Sequence, residues 1–114
     1  MCAMQSALRE HLLCERNSRI NEDLAAVAEQ TPSDTIYVID KAVEKPLLDW
    51  FEANWPANWP VHLVMEGLEA ICPVTLPSKA IGPAVMTCII DPVDGTRGLM
   101  YDKRSAWCLS GIAP

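Results

Sequence analysis

Ala84-Val85-Met86-Thr87-Cys88-Ile89-Ile90-Asp91-Pro92-Val93-Asp94-Gly95-Thr96 runs a short apolar stretch directly into two carboxylates and a glycine. The run is rich in β-branched residues and is preceded by Gly82-Pro83, which predicts a buried strand over 84–90 rather than a helix. Asp91 then falls at the strand's end. Pro92 has no N–H for a ladder and disfavours α geometry at Asp91, so the chain is expected to leave the sheet there and turn. That turn would bring Asp94 back near Asp91. Hard cations such as Mg²⁺ take oxygen ligands, commonly one or two carboxylates with waters and substrate phosphate oxygens, and the carbonyl of Pro92 or Val93 is a further candidate. Gly95 lets the backbone approach a ligand closely, and with Thr96 it could open a short helix whose free N–H groups face a phosphate.

Upstream, Asp34-Thr35-Ile36-Tyr37-Val38-Ile39-Asp40-Lys41-Ala42-Val43-Glu44 sets two aspartates six residues apart before a Val-Glu pair. Val61-His62-Leu63-Val64-Met65-Glu66 is a strand-like run ending in a carboxylate. Together with Asp-Pro-Val-Asp-Gly-Thr at 91–96, these segments resemble the inositol monophosphatase-like superfamily. Its members are Mg²⁺-dependent, Li⁺-sensitive sugar and inositol phosphatases, and they include fructose-1,6-bisphosphatases and bisphosphate nucleotidases.

The resemblance implies roles residue by residue. Glu66, Asp91, the backbone carbonyl of Val93 and Asp94 would hold two or three Mg²⁺ ions, with inhibition by Li⁺. Asp40 would pair with Thr96 to orient the attacking water. Gly95, Thr96 and Arg97 would contact the substrate phosphate. At Met65-Glu66-Gly67-Leu68-Glu69 the sequence departs from the family's Gly-Glu-Glu, so Glu66 is the better match by its place at the strand end and Glu69 the alternative. After Thr96 the chain reads Arg97-Gly98-Leu99-Met100-Tyr101-Asp102-Lys103-Arg104, where inositol phosphatases continue with Thr-Asn-Phe. This cationic cluster reads either as a second contact for a phosphate or sugar acid, or as a solvated loop paired with Asp102. Inositol phosphate is therefore only one candidate substrate among sugar phosphates and bisphosphates.

Each residue also has a plainer reading. Asp-Pro and Asp-Gly pairs by themselves mark turns. Asp34 suits a turn or cap, Asp40 equally a helix cap, and Glu69 a solvated loop charge. His11 and His62 have no partner at metal-ligand spacing and read as structural.

The balance of 9 basic against 15 acidic residues, net −6, argues against nonspecific nucleic-acid binding. It leaves a phosphorylated substrate open, because a bound metal reverses the local sign of a carboxylate site. Cys2, Cys14, Cys72, Cys88 and Cys108 are scattered and lack Cys-x-x-Cys spacing, so they read as reduced thiols. Arg9, Glu10 and His11 interrupt the N-terminus before a signal-peptide core can form, and no apolar run approaches membrane length. The expected location is the cytoplasm, with no membrane partner.

Helical spacing runs from about Ala3 to Glu29 with a break near Ser18 to Asn21, followed by a strand over Thr35–Ile39. A helix over Leu47–Ala53 follows, with Pro46 in its first turn. Asn54-Trp55-Pro56-Ala57-Asn58-Trp59-Pro60 ends it, its tryptophans serving as packing anchors at a corner. Strands at 61–65, 84–90 and 106–112 complete the order, the second and third strands separated from the first by an irregular loop and the turn at 91–96. Helices followed by strands suit a layered α/β or α+β fold, and the resemblance implies the N-terminal portion of a layered αβαβα fold of sugar-phosphatase type, helices first and then an antiparallel-rich sheet. Family members are more than twice this length, so the resemblance implies that residues 1–114 are the N-terminal part of such a domain, lacking its C-terminal half. The function implied for the complete enzyme is metal-dependent hydrolysis of a phosphate monoester of a small sugar or polyol by an activated water, in a protein that is usually a homodimer. The alternative is a non-catalytic metal- and phosphate-binding module, or an inactive fragment.

Overall fold

The computed structural model describes residues 1–18, 21–30, 35–65 and 74–114. In chain order the elements are α1 (Cys2–Ser18), α2 (Asn21–Leu24), β1 (Val27–Gln30), β2 (Thr35–Tyr37), α3 (Val38–Asn54), β3 (Val61–Met65), β4 (Val74–Leu76), β5 (Met86–Asp94), α4 (Thr96–Met100) and β6 (Trp107–Ala113). This is a mixed α/β arrangement. β1 and β2 form an antiparallel pair, and the larger sheet has the order β4-β3-β5-β6. Its β3–β5 pair is parallel, whereas β3–β4 and β5–β6 are antiparallel. No helix is long and apolar enough to cross a membrane among the described residues.

α3 buries Ile39, Val43, Leu47 and Phe51, one residue per turn along a single stripe. Three of these meet Met4 and Leu8 of α1 over Val61, Leu63, Met65, Cys88 and Ile90, the alternate residues of β3 and β5 that face inward. Two helices therefore cover one face of the sheet. The opposite face leaves Val64, Ile89 and Leu109 exposed. Ile39 joins a second cluster with Leu24 and Met100, which fastens α4 against the start of α3. This is the packing that positions the site.

Several expectations are corrected. Pro46 lies in the interior of a 17-residue helix, not in the first turn of a shorter one. Proline has no N–H to offer the carbonyl of Ala42, four residues earlier. His11 Nε2, reaching over from α1, lies 3.1 Å from that oxygen and takes the missing donor's place. The expected strand at 35–39 ends at Tyr37, because Val38 already begins α3. Val27–Gln30 is a strand rather than the end of a helix, with all four residues exposed. Val74–Leu76, expected within an irregular loop, pairs with β3. Trp55 is half-buried against Phe51, with ring centroids 5.1 Å apart, but Trp59 is 56% exposed and contributes its carbonyl, which accepts from Trp55 Nε1 at 2.7 Å. The break near residues 18–21 lies partly outside the described residues, as does Cys72; the other four cysteines are free thiols.

Candidate functional site

β5 does not leave the sheet at Asp91; it pairs with β6 through Asp94. Between the Asp91–Leu109 and Asp94–Trp107 pairings β5 advances three residues and β6 two, which is a β-bulge. Pro92 sits in the bulge, where no ladder donor is required. On a regular strand residues three apart point to opposite faces, and the extra residue restores Asp91 and Asp94 to one side, where both line the same cleft. Asp91 Oδ1 accepts from Val93 N at 3.1 Å, an Asx-type turn within the bulge. The buried Val93 side chain anchors the corner in the main core. Gly95 then takes φ +93°, the left-handed region that favours glycine, and redirects the chain into α4.

The second wall comes from the start of α3. Asp40 Oδ2 accepts from Tyr37 N at 2.8 Å, capping the helix, while Asp40 Oδ1 accepts from Thr96 Oγ1 at 2.8 Å. The cap and pairing readings of Asp40 thus both hold, one on each oxygen. Thr96 Oγ1 also lies 2.8 Å from Val93 O. A hydroxyl has one hydrogen, and the carboxylate is the stronger acceptor. Tyr37 carries no signal in the sequence beyond preceding Asp40 by three residues, yet its hydroxyl accepts from Arg97 Nε at 2.6 Å and its ring lies 5.8 Å from the guanidinium.

The cleft enclosed by these elements measures about 770 Å³. Asp40, Asp91, Asp94 and Thr96 line it together with Arg97, Lys103 and Arg104, so carboxylates and cations share one cleft. No family model matches the chain, and no curated protein does.

The candidate donors are all oxygen: the carboxylates of Asp91 and Asp94 and the carbonyl of Val93, whose lone pairs stay open when the Thr96 hydrogen is on Asp40. That set fits a hard cation such as Mg²⁺. Among the described residues no three His, Cys, Asp or Glu side chains gather around one point. Glu66 and Glu69, the carboxylates expected from the neighbouring strand end, lie outside the described residues, as does Asp34. His62 is occupied elsewhere, with Nδ1 3.0 Å from Thr75 Oγ1 across the β3–β4 pair. Asp102 is paired with Arg16 at 2.6 Å rather than with the cations beside it in sequence.

Proposed function

We propose that this chain carries the phosphate-hydrolysing site of a Mg²⁺-dependent phosphatase similar to the inositol monophosphatase-like superfamily, acting on a small phosphorylated sugar or polyol. The observation that carries the reading is the Thr96 Oγ1–Asp40 Oδ1 hydrogen bond of 2.8 Å, formed in the cleft that Asp91 and Asp94 also line. When bound, Mg²⁺ would supply the positive charge that polarises a phosphoryl group and acidifies a nearby water. Asp91, Asp94 and the Val93 carbonyl are the groups to hold it, and the resemblance adds Glu66. Asp40 keeps the Thr96 hydrogen turned toward itself, which leaves Oγ1 lone pairs to accept a hydrogen bond from the attacking water and orient it. Gly95, Thr96 and Arg97 contact the phosphate, with Arg97 held in place by Tyr37.

The same reading extends to the architecture. A sheet covered by two helices on one face, with Val64, Ile89 and Leu109 exposed on the other, suits the central part of a layered αβαβα fold.

The test is phosphate release from a panel of sugar and inositol phosphates, in Mg²⁺ and in EDTA, by the chain and its Asp91→Asn and Asp94→Asn variants. Release that requires Mg²⁺ and falls by roughly a hundredfold in each variant is expected. Release unchanged by both substitutions would contradict the site. Mg²⁺ binding that the substitutions abolish, without any release, would assign the cleft to a non-catalytic binding module instead.

A further inference from the structure

We propose that the loop from Tyr101 to Ser105 is a second oxyanion subsite, so that the substrate carries a further phosphate or carboxylate besides the ester that is cleaved. The inference rests on the phosphatase reading of the same cleft and adds the class of substrate. Arg97, Lys103 and Arg104 are three of only nine basic residues in a chain of net charge −6, and all three line this one cleft. The plain explanation for such a cluster is that it neutralises a neighbouring acid. Asp102 is the loop's one carboxylate, and its side chain is taken by Arg16 of α1 at 2.6 Å. Among the described residues neither Lys103 nor Arg104 makes an ion pair, with Asp91 and Asp94 or with any other group.

The loop is also held in shape. Lys103 N and Arg104 N both donate to Gly98 O, at 2.9 and 3.2 Å. Asp102 adopts φ +52°, an uncommon conformation for a residue with a side chain, in the position that its pairing with Arg16 secures. A Cβ on Gly98 would come to 3.0 Å from Arg104 Cβ, a tight contact that glycine spares where the loop closes onto α4. Constraints of this kind reduce the ordering cost of binding and keep two cations at the cleft that Arg97 also lines. A planar guanidinium beside an ammonium suits an oxyanion, whereas the carboxylates that line the same cleft would repel one unless a metal intervened. A ligand that meets both groups of side chains therefore carries one metal-countered phosphate and a second, bare anion.

Two measurements test this. In EDTA, the full chain is titrated with inorganic phosphate while the amide resonances of Gly98, Lys103 and Arg104 are followed by NMR. Saturable, salt-sensitive shifts are expected there, at least about tenfold weaker in the Lys103→Ala/Arg104→Ala variant and retained in Lys103→Arg/Arg104→Lys. In Mg²⁺, the KM values for glucose 6-phosphate, 6-phosphogluconate and glucose 1,6-bisphosphate are compared. A preference for one or both doubly anionic compounds, reduced about tenfold by the double alanine variant, supports the subsite and shows whether carboxylate or phosphate fills it. Absence of phosphate shifts at the loop, or an undiminished preference in the variant, overturns the inference and leaves the phosphatase reading standing. Loop shifts without turnover of any of the three compounds would preserve the anion site and count against the phosphatase reading.

Discussion

Thr96 Oγ1 donates to Asp40 Oδ1 at 2.8 Å, while the other oxygen of the same carboxylate accepts from Tyr37 N at 2.8 Å. One side chain thus starts α3 and holds the first residue of α4 to it. Asp40→Ala removes both bonds and is expected to lower stability by about 1–3 kcal/mol, whereas Thr96→Val removes one and should cost about 1 kcal/mol. Urea denaturation of the two variants and their combination checks this. The double variant should be little worse than Asp40→Ala alone, because the two changes delete a shared bond.

His11 and Pro46 form a second linked pair. Pro46 deprives the Ala42 carbonyl of its helical donor, and His11 Nε2 reaches it at 3.1 Å. His11→Ala should therefore cost about 1 kcal/mol in the native sequence. In a Pro46→Ala background residue 46 has its own N–H to give, and the cost of losing His11 should shrink. A double-mutant cycle by chemical denaturation measures the difference; equal costs in both backgrounds would mean that the histidine acts through packing alone.

Cys88 is fully buried, and burial pushes its thiol up to about 11 from the usual 9.0. Between those values the unfolded chain has released its proton and the folded one has not, so the unfolded state holds fewer protons and stability falls as pH rises. The contribution is intact below pH 9 and is lost through pH 11. Denaturation midpoints compared at pH 8 and pH 10.5 should fall more steeply for the native protein than for Cys88→Ala. The exposed Cys2 and Cys14 should react with a thiol reagent under native conditions while Cys88 does not.

The parts of this structure that were legible in the sequence are those whose pattern is set by burial. Val61–Met65 alternates inward and outward residues and forms a strand with the expected bounds. The apolar run before Asp91 is a strand, though it begins at Met86 and is buried on one face only, with Ile89 exposed, and Asp40 and Thr96 meet although 56 residues separate them. The failures have physical causes too. Helical spacing through Val27 and Ala28 misled because β1 is exposed along its whole length and owes its form to pairing with β2. Pro46 looked like a helix start because the donor that repairs its effect comes from α1, far away in sequence. Asp91-Pro92 looked like an exit from the sheet because a bulge is defined by both strands, and only one of them was in view. Asp102 pairs with Arg16 rather than with Lys103 or Arg104 because its partner comes from the other end of the chain, which local sequence does not show.

The central claim is that the bulge in β5 presents Asp91 and Asp94 together as a cation site opposite Asp40 and Thr96. Its most direct test is a titration of the chain with Mn²⁺ in place of Mg²⁺, following paramagnetic broadening of backbone amide resonances. The prediction is broadening centred on Asp91 to Arg97 and reaching Asp40, reversed by excess Mg²⁺ and abolished when Asp91 and Asp94 are both changed to Asn. Broadening centred elsewhere, or surviving that double substitution, would contradict it.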